Sequence, residues 1–516
     1  MSRDPNPETN YQERGSGSKI TRRRFLGLAG LGAGGLVLGA CGTTDKSAPS
    51  RGRGGARVAS YDLEVRPFDF ELGGRPVSSW GYDGKIPGPE IRLKRGETLR
   101  AVVRNRLPEG TTTVHWHGVP VPNGMDGVPD VTQRPIGPRE DFTYEYEVPV
   151  SGTYFYHSHV GMQLDCAVYG PLVVEPESEP LGYDREFTLV LDDWLDGVDG
   201  TPEQELKSLR SGGSAMSGMG GMGSMKGMDQ TEGMGGMEGM RSGGAAPRQW
   251  APDIVYPFYL VNGRPADDPE VLKVKRGERV RIRFINASSA TIFRVALEGH
   301  RMGVTHADGQ PVEPVEVDAL RIGQGERYDV LVDATDPGVW QLAAQAEGTE
   351  KIGRALFRYA GSSSAPAPSA DHRPPELGKE LLRYDMLSAA PEAEAPPGGE
   401  PDEVVPITLD GDEGRYVWTI NGEVFSEADP ISVGRGKHVR FEMENETMMP
   451  HPMHLHGHFF RVDNGTDEGP IKDTVLVEPM QKVAVDWLAD NPGDWAFHCH
   501  MAYHQAAGMM RVVRVA

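Results

Sequence analysis

Histidine is concentrated in four short segments of this 516-residue chain, and its spacing there suits metal binding. Ten of the 15 histidines lie in segments that carry the pattern His-x-His. Two residues that alternate along an extended strand point to one face, where their rings can share a metal ion. A single histidine is usually structural, but four such segments predict a metal centre. The segments are H-W-H at 115–117, H-S-H at 157–159, H-P-M-H-L-H-G-H at 451–458 and H-C-H at 498–500.

The last segment places a cysteine between two histidines. If 498–500 is extended, Cys499 points to the face opposite His498 and His500. His504 and Met509 follow closely enough to return to the cysteine side, and a residue of the third segment can supply a second histidine. Two histidines, one cysteine and a weak axial methionine suit an electron-transfer copper of the blue type.

These four segments resemble the copper-binding motifs of the three-domain multicopper oxidases, the laccase-like family. The resemblance covers nearly the whole chain after its N-terminal segment and implies four copper ions. It implies a type 1 copper bound by His451, Cys499, His504 and Met509, a type 2 copper bound by His115 and His454, and a binuclear type 3 site bound by His117, His157, His159, His456, His498 and His500. His458 lies beyond the motif, and we interpret it as a structural or ligand-supporting residue.

The resemblance also implies a reaction, in which one-electron oxidation of a donor is coupled to four-electron reduction of O2 to water. Cys499 is bonded through the chain to His498 and His500, which gives the electron a short covalent path. Asp126 matches the acidic residue near the type 2 copper of the family and is predicted to deliver protons, although Asp-Gly is also a common turn. Several relatives have a proton-relaying carboxylate at the position of Gln505. An amide does not donate and re-accept a proton at ordinary pH, so either water and another acid substitute for it or proton transfer is slower.

The N-terminus reads as an export signal. T-R-R-R-F-L at 21–26 resembles a twin-arginine signal, and the following Gly/Ala/Leu run is too short and glycine-rich for a permanent membrane span. The segment ends in L-G-A-C, which resembles a lipoprotein cleavage box. We therefore predict a signal peptide at 1–40, a lipid on Cys41 and a tether at 41–55. The alternative is ordinary cleavage near Ala40 with an incidental cysteine.

Composition limits the partners and the compartment. The formal net charge of −22 disfavours nucleic acid. The three cysteines leave no intramolecular disulfide if Cys41 carries a lipid and Cys499 binds copper. We predict an exported monomer anchored to the membrane by its lipid, as a cell-envelope lipoprotein on the outer face of the cytoplasmic membrane or in the periplasm.

An internal repeat predicts the fold independently of the histidines. Similar segments occur at 94–105, 275–286 and 434–445, and each has a turn followed by an alternating strand that ends in Asn. Hairpin-like turns precede them at 83–84, 262–263 and 421–422. The pattern predicts an all-β protein of three Greek-key β-barrels, which the resemblance makes cupredoxin domains. The predicted domains are 56–178, 184–362 and 403–516, with a linker at 363–402 that has room for a short helix near 376–386.

Alignment of the repeats predicts where copper binds. Gly118, Gly299 and Gly457 fall at matching positions, but only the first and third copies have histidines before the glycine. The middle copy has Ala-Leu-Glu at 296–298. We therefore expect the second domain to act as a spacer and the first and third domains to share a copper cluster at their interface.

The second domain carries an insertion of Gly, Ser and Met at 211–244. This much glycine does not hold a helix, and a flexible linker would not explain so many methionines. Thioethers are soft ligands that select Cu(I), so we interpret the insertion as a Cu(I) relay. Its methionines are Met216, Met219, Met222, Met225, Met228, Met234, Met237 and Met240.

These features favour an oxidase that acts on Cu(I), and also on phenolic compounds, in copper detoxification. An axial methionine gives a lower potential than a non-coordinating leucine, which suits easily oxidised donors. The alternatives are a general laccase-type phenol oxidase, a ferroxidase, or a copper-binding or storage lipoprotein without turnover.

Overall fold

The computed structural model describes residues 57–212, 252–362, 365–396 and 398–516. Within these ranges the chain forms 30 strands arranged in six sheets. The predicted signal peptide, Cys41 and the tether lie outside the described residues, and so do the eight methionines of the insertion. In the described part of the chain, no helix is long and apolar enough to cross a membrane.

The first barrel has two four-stranded sheets, one with the order β2-β1-β4-β6 and one with the order β3-β8-β7-β5. One pair in each sheet is parallel, β1 with β4 and β3 with β8. The strands are β1 (Val58–Leu72), β2 (Arg75–Tyr82), β3 (Ile91–Lys94), β4 (Thr98–Asn105), β5 (His115–His117), β6 (Asp141–Glu147), β7 (Gly152–His157) and β8 (Tyr169–Glu175).

The second barrel repeats this plan with a six-stranded sheet, β10-β9-β12-β17-β14-β15, and a five-stranded sheet, β11-β19-β18-β13-β16. A capped helix, α1 (Pro202–Arg210), follows its first strand. The strands are β9 (Arg185–Trp194), β10 (Phe258–Val261), β11 (Glu270–Val274), β12 (Arg279–Asn286), β13 (Phe293–Leu297), β14 (Met302–Ala307), β15 (Gln310–Val317), β16 (Ala319–Ile322), β17 (Arg327–Asp333), β18 (Val339–Ala346) and β19 (Ile352–Tyr359).

The third barrel also has a six-stranded sheet, β21-β20-β23-β28-β25-β26, and a five-stranded sheet, β22-β30-β29-β24-β27. A short helix, α2 (Ala502–Ala506), precedes its last strand. The strands are β20 (Glu403–Asp412), β21 (Val417–Ile420), β22 (Ile431–Val433), β23 (His438–Asn445), β24 (His451–Leu455), β25 (Phe460–Val462), β26 (Ile471–Lys472), β27 (Thr474–Val477), β28 (Lys482–Leu488), β29 (Gly493–Cys499) and β30 (Met510–Val515).

The repeated segments form equivalent strands, β4, β12 and β23, each eight residues long. All six residues of the preceding Asp-Gly and Asn-Gly turns have positive φ angles, as hairpin turns of this type require. The terminal Asn of each strand donates from its side chain to at least two backbone carbonyls further along the chain, and so links distant segments in all three barrels. The residues are Asn105, Asn286 and Asn445.

The connection between the second and third barrels contains two 3-10 turns in place of one short helix. They span Pro375–Gly378 and Tyr384–Met386. Glycine at the end of the first turn disfavours its continuation as a longer helix.

Candidate metal centre

Neighbouring strands bring the four histidine segments together in two pairs, one in the first barrel and one in the third. β5 pairs with β7 so that His115 lies opposite His157, and β24 pairs with β29 so that His454 lies opposite His498. Within β5 the two histidines alternate with the buried Trp116, which points into the core of the first barrel. The first barrel thus contributes four rings to one cluster and the third barrel four more.

We call these eight residues the histidine cluster: His115, His117, His157, His159, His454, His456, His498 and His500. In seven of the rings, one nitrogen lies within hydrogen-bond distance of another group of the protein. The partners are Asp126 O for His115, Asp473 Oδ1 for His117, Ser158 O for His157, the Gln505 amide for His159, Asp473 O for His454, the Asp126 carboxylate for His456 and Cys499 O for His498.

The other nitrogens of the cluster lack partners of this kind. Five rings have at least one buried nitrogen without a hydrogen-bond partner: His115 Nε2, His117 Nδ1, His157 Nε2, His454 Nε2 and both nitrogens of His500. Three further Nε2 atoms face one another, with His498 3.0 Å from His456 and 3.4 Å from His159. Buried nitrogens without partners are costly unless they bind something, so these residues fit metal ions.

The residues of the cluster form groups of three in which one ring nitrogen of each residue lies within 4.8 Å of the others. One group is His117, His157 and His500, and another is His159, His456 and His498. Together they contain the six residues predicted for the type 3 pair. A third group combines His117 with His115 and His454, the two residues predicted for the type 2 copper.

Burial also prepares these rings for metal binding. It lowers the pKa below the ordinary histidine value for His117, His157, His159, His454, His456, His498 and His500. A neutral ring keeps a lone pair that can coordinate a metal without first releasing a proton.

A separate group contains Cys499, His451 and His504, and we call it the cysteine group. The Cys499 Sγ lies 3.7 Å from Nδ1 of each histidine, and the two Nδ1 atoms are 3.1 Å apart. The other ring nitrogens are engaged, His451 Nε2 with Thr447 Oγ1 at 2.8 Å and His504 Nε2 with the Asp253 carboxylate at 3.0 Å. Two nitrogens and one sulfur therefore converge on one point.

Met509 lies next to this group. Its carbonyl accepts from the Cys499 N–H at 3.1 Å, its own N–H donates to the His504 carbonyl at 3.0 Å, and the residue is fully buried. Burial raises the pKa of the Cys499 thiol. A bound cation would stabilise the thiolate instead, so the donor set fits a copper ion of the blue type.

Comparisons with known proteins agree with this geometry. Family models described as multicopper oxidase match residues 65–179, 185–362 and 400–516. The chain is 42% identical to the multicopper oxidase MmcO of Mycobacterium tuberculosis, over 96% of this chain and 97% of that protein.

The chain belongs to the multicopper oxidase family.

Two further similarities involve proteins from other bacteria. The copper resistance protein A of Escherichia coli is 30% identical over 96% of this chain and 99% of that protein. The crystal structure of a multi-copper oxidase from Pseudomonas thermotolerans matches with a TM-score of 0.67 and 27% identity, over 89% of this chain and all of that one. The predicted fold of three cupredoxin-like barrels is confirmed, and so are the copper cofactors of types 1, 2 and 3.

Three other residues singled out in the sequence lie close to these groups in the oxidase. Asp126 is fully buried, and its carboxylate is 3.0 Å from His456 Nδ1 and 3.2 Å from His115 Nδ1. The Gln505 amide is 3.3 Å from His159 Nδ1. His458 is buried and bonds to the His456 carbonyl, but it belongs to none of the three-residue groups.

Sequence reasoning missed three charged residues of this multicopper oxidase. Asp253 contacts His504 and also accepts from Tyr416 Oη at 2.8 Å. Asp473 contacts the cluster and is bound by Arg327. None of these charges belongs to a histidine motif or to a repeated segment, so the sequence carries no local signal for them.

Proposed function

We propose that this oxidase uses Cu(I) as its principal reducing substrate in copper detoxification, with electron-rich phenols as additional donors. The observation that carries the proposal is the Asp253 carboxylate, which accepts a hydrogen bond from His504. When bound, the copper ions supply one-electron oxidation of the donor and the reduction of O2 to water. The task of the chain's own residues is to bring the donor to His504 and to hold the ligands in place.

Asp253 has the properties of a cation-binding residue. Its side chain is 16% exposed, so it is within reach of a donor from solvent while it contacts the buried His504 ring. The neighbouring Tyr416 hydroxyl donates to the same carboxylate and holds it in position. A partly buried negative charge attracts Cu(I), and it can also accept the proton that a phenol loses on oxidation.

The segment with the methionine insertion begins and ends beside the cysteine group. On the side before the insertion, Arg210 at the end of α1 donates to the Ala506 carbonyl at 2.6 Å. On the other side, Asp253 contacts His504. Arg210 and Asp253, which stand on either side of the insertion, therefore both contact helix α2, which carries His504. This placement of the flanking residues supports our proposal that the insertion delivers Cu(I) to α2.

We propose the following ligand assignment for the oxidase. His451, Cys499, His504 and Met509 bind the type 1 copper. The first three form the one described group that contains a thiol, and the buried Met509 is hydrogen-bonded through its backbone to Cys499 and His504. His115 and His454 bind the type 2 copper. The groups His117–His157–His500 and His159–His456–His498 bind the type 3 pair, one group for each ion. A protein that only stores copper needs no such pair of matched groups, which argues against storage without turnover.

Export and lipidation remain predictions from the sequence. We propose that the twin-arginine segment directs export and that Cys41 carries a lipid anchor, because each fits its sequence signature. An envelope location suits an enzyme that meets incoming copper. The predicted monomeric state is likewise a proposal.

Replacing Asp253 with asparagine is expected to slow Cu(I) oxidation about tenfold at low donor concentration. The change removes a charge worth about 1–2 kcal/mol in a partly solvated position, and about 1.4 kcal/mol corresponds to tenfold in rate. Steady-state oxygen consumption with Cu(I) measures the effect, and the intensity of the blue band shows that the cysteine group is intact.

The exposed Asp385 pairs with Arg383 on the linker and provides a control of equal charge change. Asp385→Asn is expected to leave the rate unaltered. Equal slowing in both variants would assign the effect to net charge and would contradict a donor site at Asp253.

Deleting residues 211–244 is expected to lower the rate of Cu(I) oxidation several-fold while the rate with a bulky phenol is preserved or raised. Thioethers concentrate Cu(I) near His504, whereas a phenol needs only an open path to the ring. Both rates are measured on one preparation at matched copper content, with the blue band as the check on folding.

A second variant retains the length of the insertion but replaces its eight methionines with serine. It should lower Cu(I) oxidation as the deletion does, because it removes the same thioethers. If the serine variant oxidises Cu(I) normally, the insertion acts as a spacer and the relay is wrong. If the deletion lowers both rates equally, its role is structural.

A further inference from the structure

The second barrel has no copper motif, yet one of its arginines lies beside the histidine cluster. Arg327 begins β17 and is fully buried. Its Nε donates to the Thr153 carbonyl of the first barrel at 3.1 Å, and its Nη1 donates to the Gly325 carbonyl of its own barrel at 2.9 Å. Its two terminal nitrogens donate to the two oxygens of Asp473 in the third barrel, at 2.7 and 2.6 Å. One side chain therefore joins all three barrels.

Asp473 in turn contacts two residues of the histidine cluster. Its Oδ1 lies 3.1 Å from His117 Nε2, and its backbone carbonyl lies 2.8 Å from His454 Nδ1. These contacts engage one nitrogen of each ring and leave His117 Nδ1 and His454 Nε2 without partners. The Thr474 hydroxyl lies 3.2 Å from the two engaged nitrogens, His117 Nε2 and His454 Nδ1. Asp473 therefore helps to determine which nitrogen is available in one ring of the first barrel and one ring of the third.

The arginine–aspartate pair packs so closely against the first histidine motif that no side chain fits between them. Gly118 directly follows the first histidine motif and has φ +81°. A Cβ at this position would lie 2.5 Å from both Arg327 Nη2 and Asp473 Oδ2. The glycine that the repeats share therefore lets the arginine–aspartate pair approach the motif closely.

The surrounding charges make Arg327 difficult to replace. Lys472 is fully buried and lies 3.0 Å from both Asp308 and Glu326. Arg327 and Lys472 are the two cations that face three buried carboxylates, those of Asp308, Glu326 and Asp473. Without Arg327 the carboxylate of Asp473 loses its two-point partner, and a single lysine remains to offset three acids.

We propose that Arg327 is a positioning residue for the trinuclear copper cluster, which acts by fixing Asp473 and thereby the orientation of His117 and His454. The proposal rests on the assignment of these two histidines as copper ligands. It gives the second barrel a role beyond the spacing of its neighbours, because that barrel secures ligands from both of them.

The test compares copper retention and spectra of Arg327→Gln and Arg327→Lys with the unchanged oxidase. Loss of the partner of a ligand typically weakens metal binding about 10- to 100-fold. We therefore expect Arg327→Gln to lose type 2 copper to a chelator at about 10- to 100-fold lower chelator concentration, with an altered type 2 electron paramagnetic resonance signal. The blue band should remain. Arg327→Lys retains the charge without the two-point contact and should give an intermediate result.

Arg281→Gln is the matched control, because Arg281 is a buried arginine of the same barrel that pairs with Asp329 and Glu179. It is expected to lower the melting temperature without a change in the type 2 signal. A double variant, Arg327→Gln with Asp473→Asn, should weaken type 2 binding no further than Asp473→Asn alone, since the arginine acts through that carboxylate.

The proposal would be overturned if Arg327→Gln left both the type 2 signal and the retention of copper unchanged. Parallel loss of the blue band and the type 2 signal in Arg327→Gln, Arg327→Lys and Arg281→Gln would also overturn it, because the effect would then be general unfolding. His454→Ala tests the underlying ligand assignment and is expected to abolish the type 2 signal. Retention of the signal in His454→Ala would overturn the assignment and the positioning role together, whereas its retention in Arg327→Gln alone overturns only the latter.

Discussion

Replacing Cys499 with serine is expected to abolish both the blue colour of the copper-loaded protein and all of its oxidase activity. The Cys499 Sγ lies 3.7 Å from the Nδ1 atoms of His451 and His504, and the cysteine group is the one group of the described residues that contains a thiol. A serine hydroxyl does not supply the thiolate-to-copper charge transfer that produces the colour. Visible absorption and oxygen consumption measure the two losses.

Cys166 provides the control, because it is the other buried cysteine of the described chain. Cys166→Ser should remain blue and active. In Cys499→Ser the near-ultraviolet absorption of the type 3 pair should survive, since the eight rings of the histidine cluster are unchanged. A blue Cys499→Ser protein would contradict the assignment of the cysteine group.

Replacing Asp126 with asparagine is expected to slow oxygen reduction about 10²- to 10⁴-fold, the usual range for loss of a proton-transferring group. The Asp126 carboxylate is fully buried and lies within 3.2 Å of ring nitrogens of His115 and His456. An amide retains the shape of the side chain but does not donate and re-accept a proton at ordinary pH.

The two half-reactions separate this role from a general loss of function. Bleaching of the blue band by a donor without oxygen should be nearly unchanged, whereas recovery of the band on admission of oxygen should be slow. The electron paramagnetic resonance signal of the type 2 copper shows whether the ligands of that ion are still in place. Equal slowing of bleaching and recovery, or no slowing, would contradict a role in proton delivery.

The local sequence was sufficient to predict the barrels and the histidine segments. Strand alternation is a local property, so the spacing of His115 and His117 already implied two rings on one face of β5. The turns before β4, β12 and β23 were predictable for a similar reason, since Asp-Gly and Asn-Gly favour the positive φ angles that the structure has there. The comparison of repeats also predicted a second barrel without histidine motifs. The assignment of each ligand to a particular copper came from the family resemblance.

The charges around the copper ligands could be found only in the tertiary structure. Asp253 reaches His504 across 251 positions of the chain, and Arg327 reaches Asp473 across 146. Neither contact joins residues at the spacing of a strand or a helix. In a sequence with many charges, the residues next to a single Asp or Arg do not show that it has a special role. The role of such a residue depends on burial and on the position of its partner, and both arise only when the three barrels pack together.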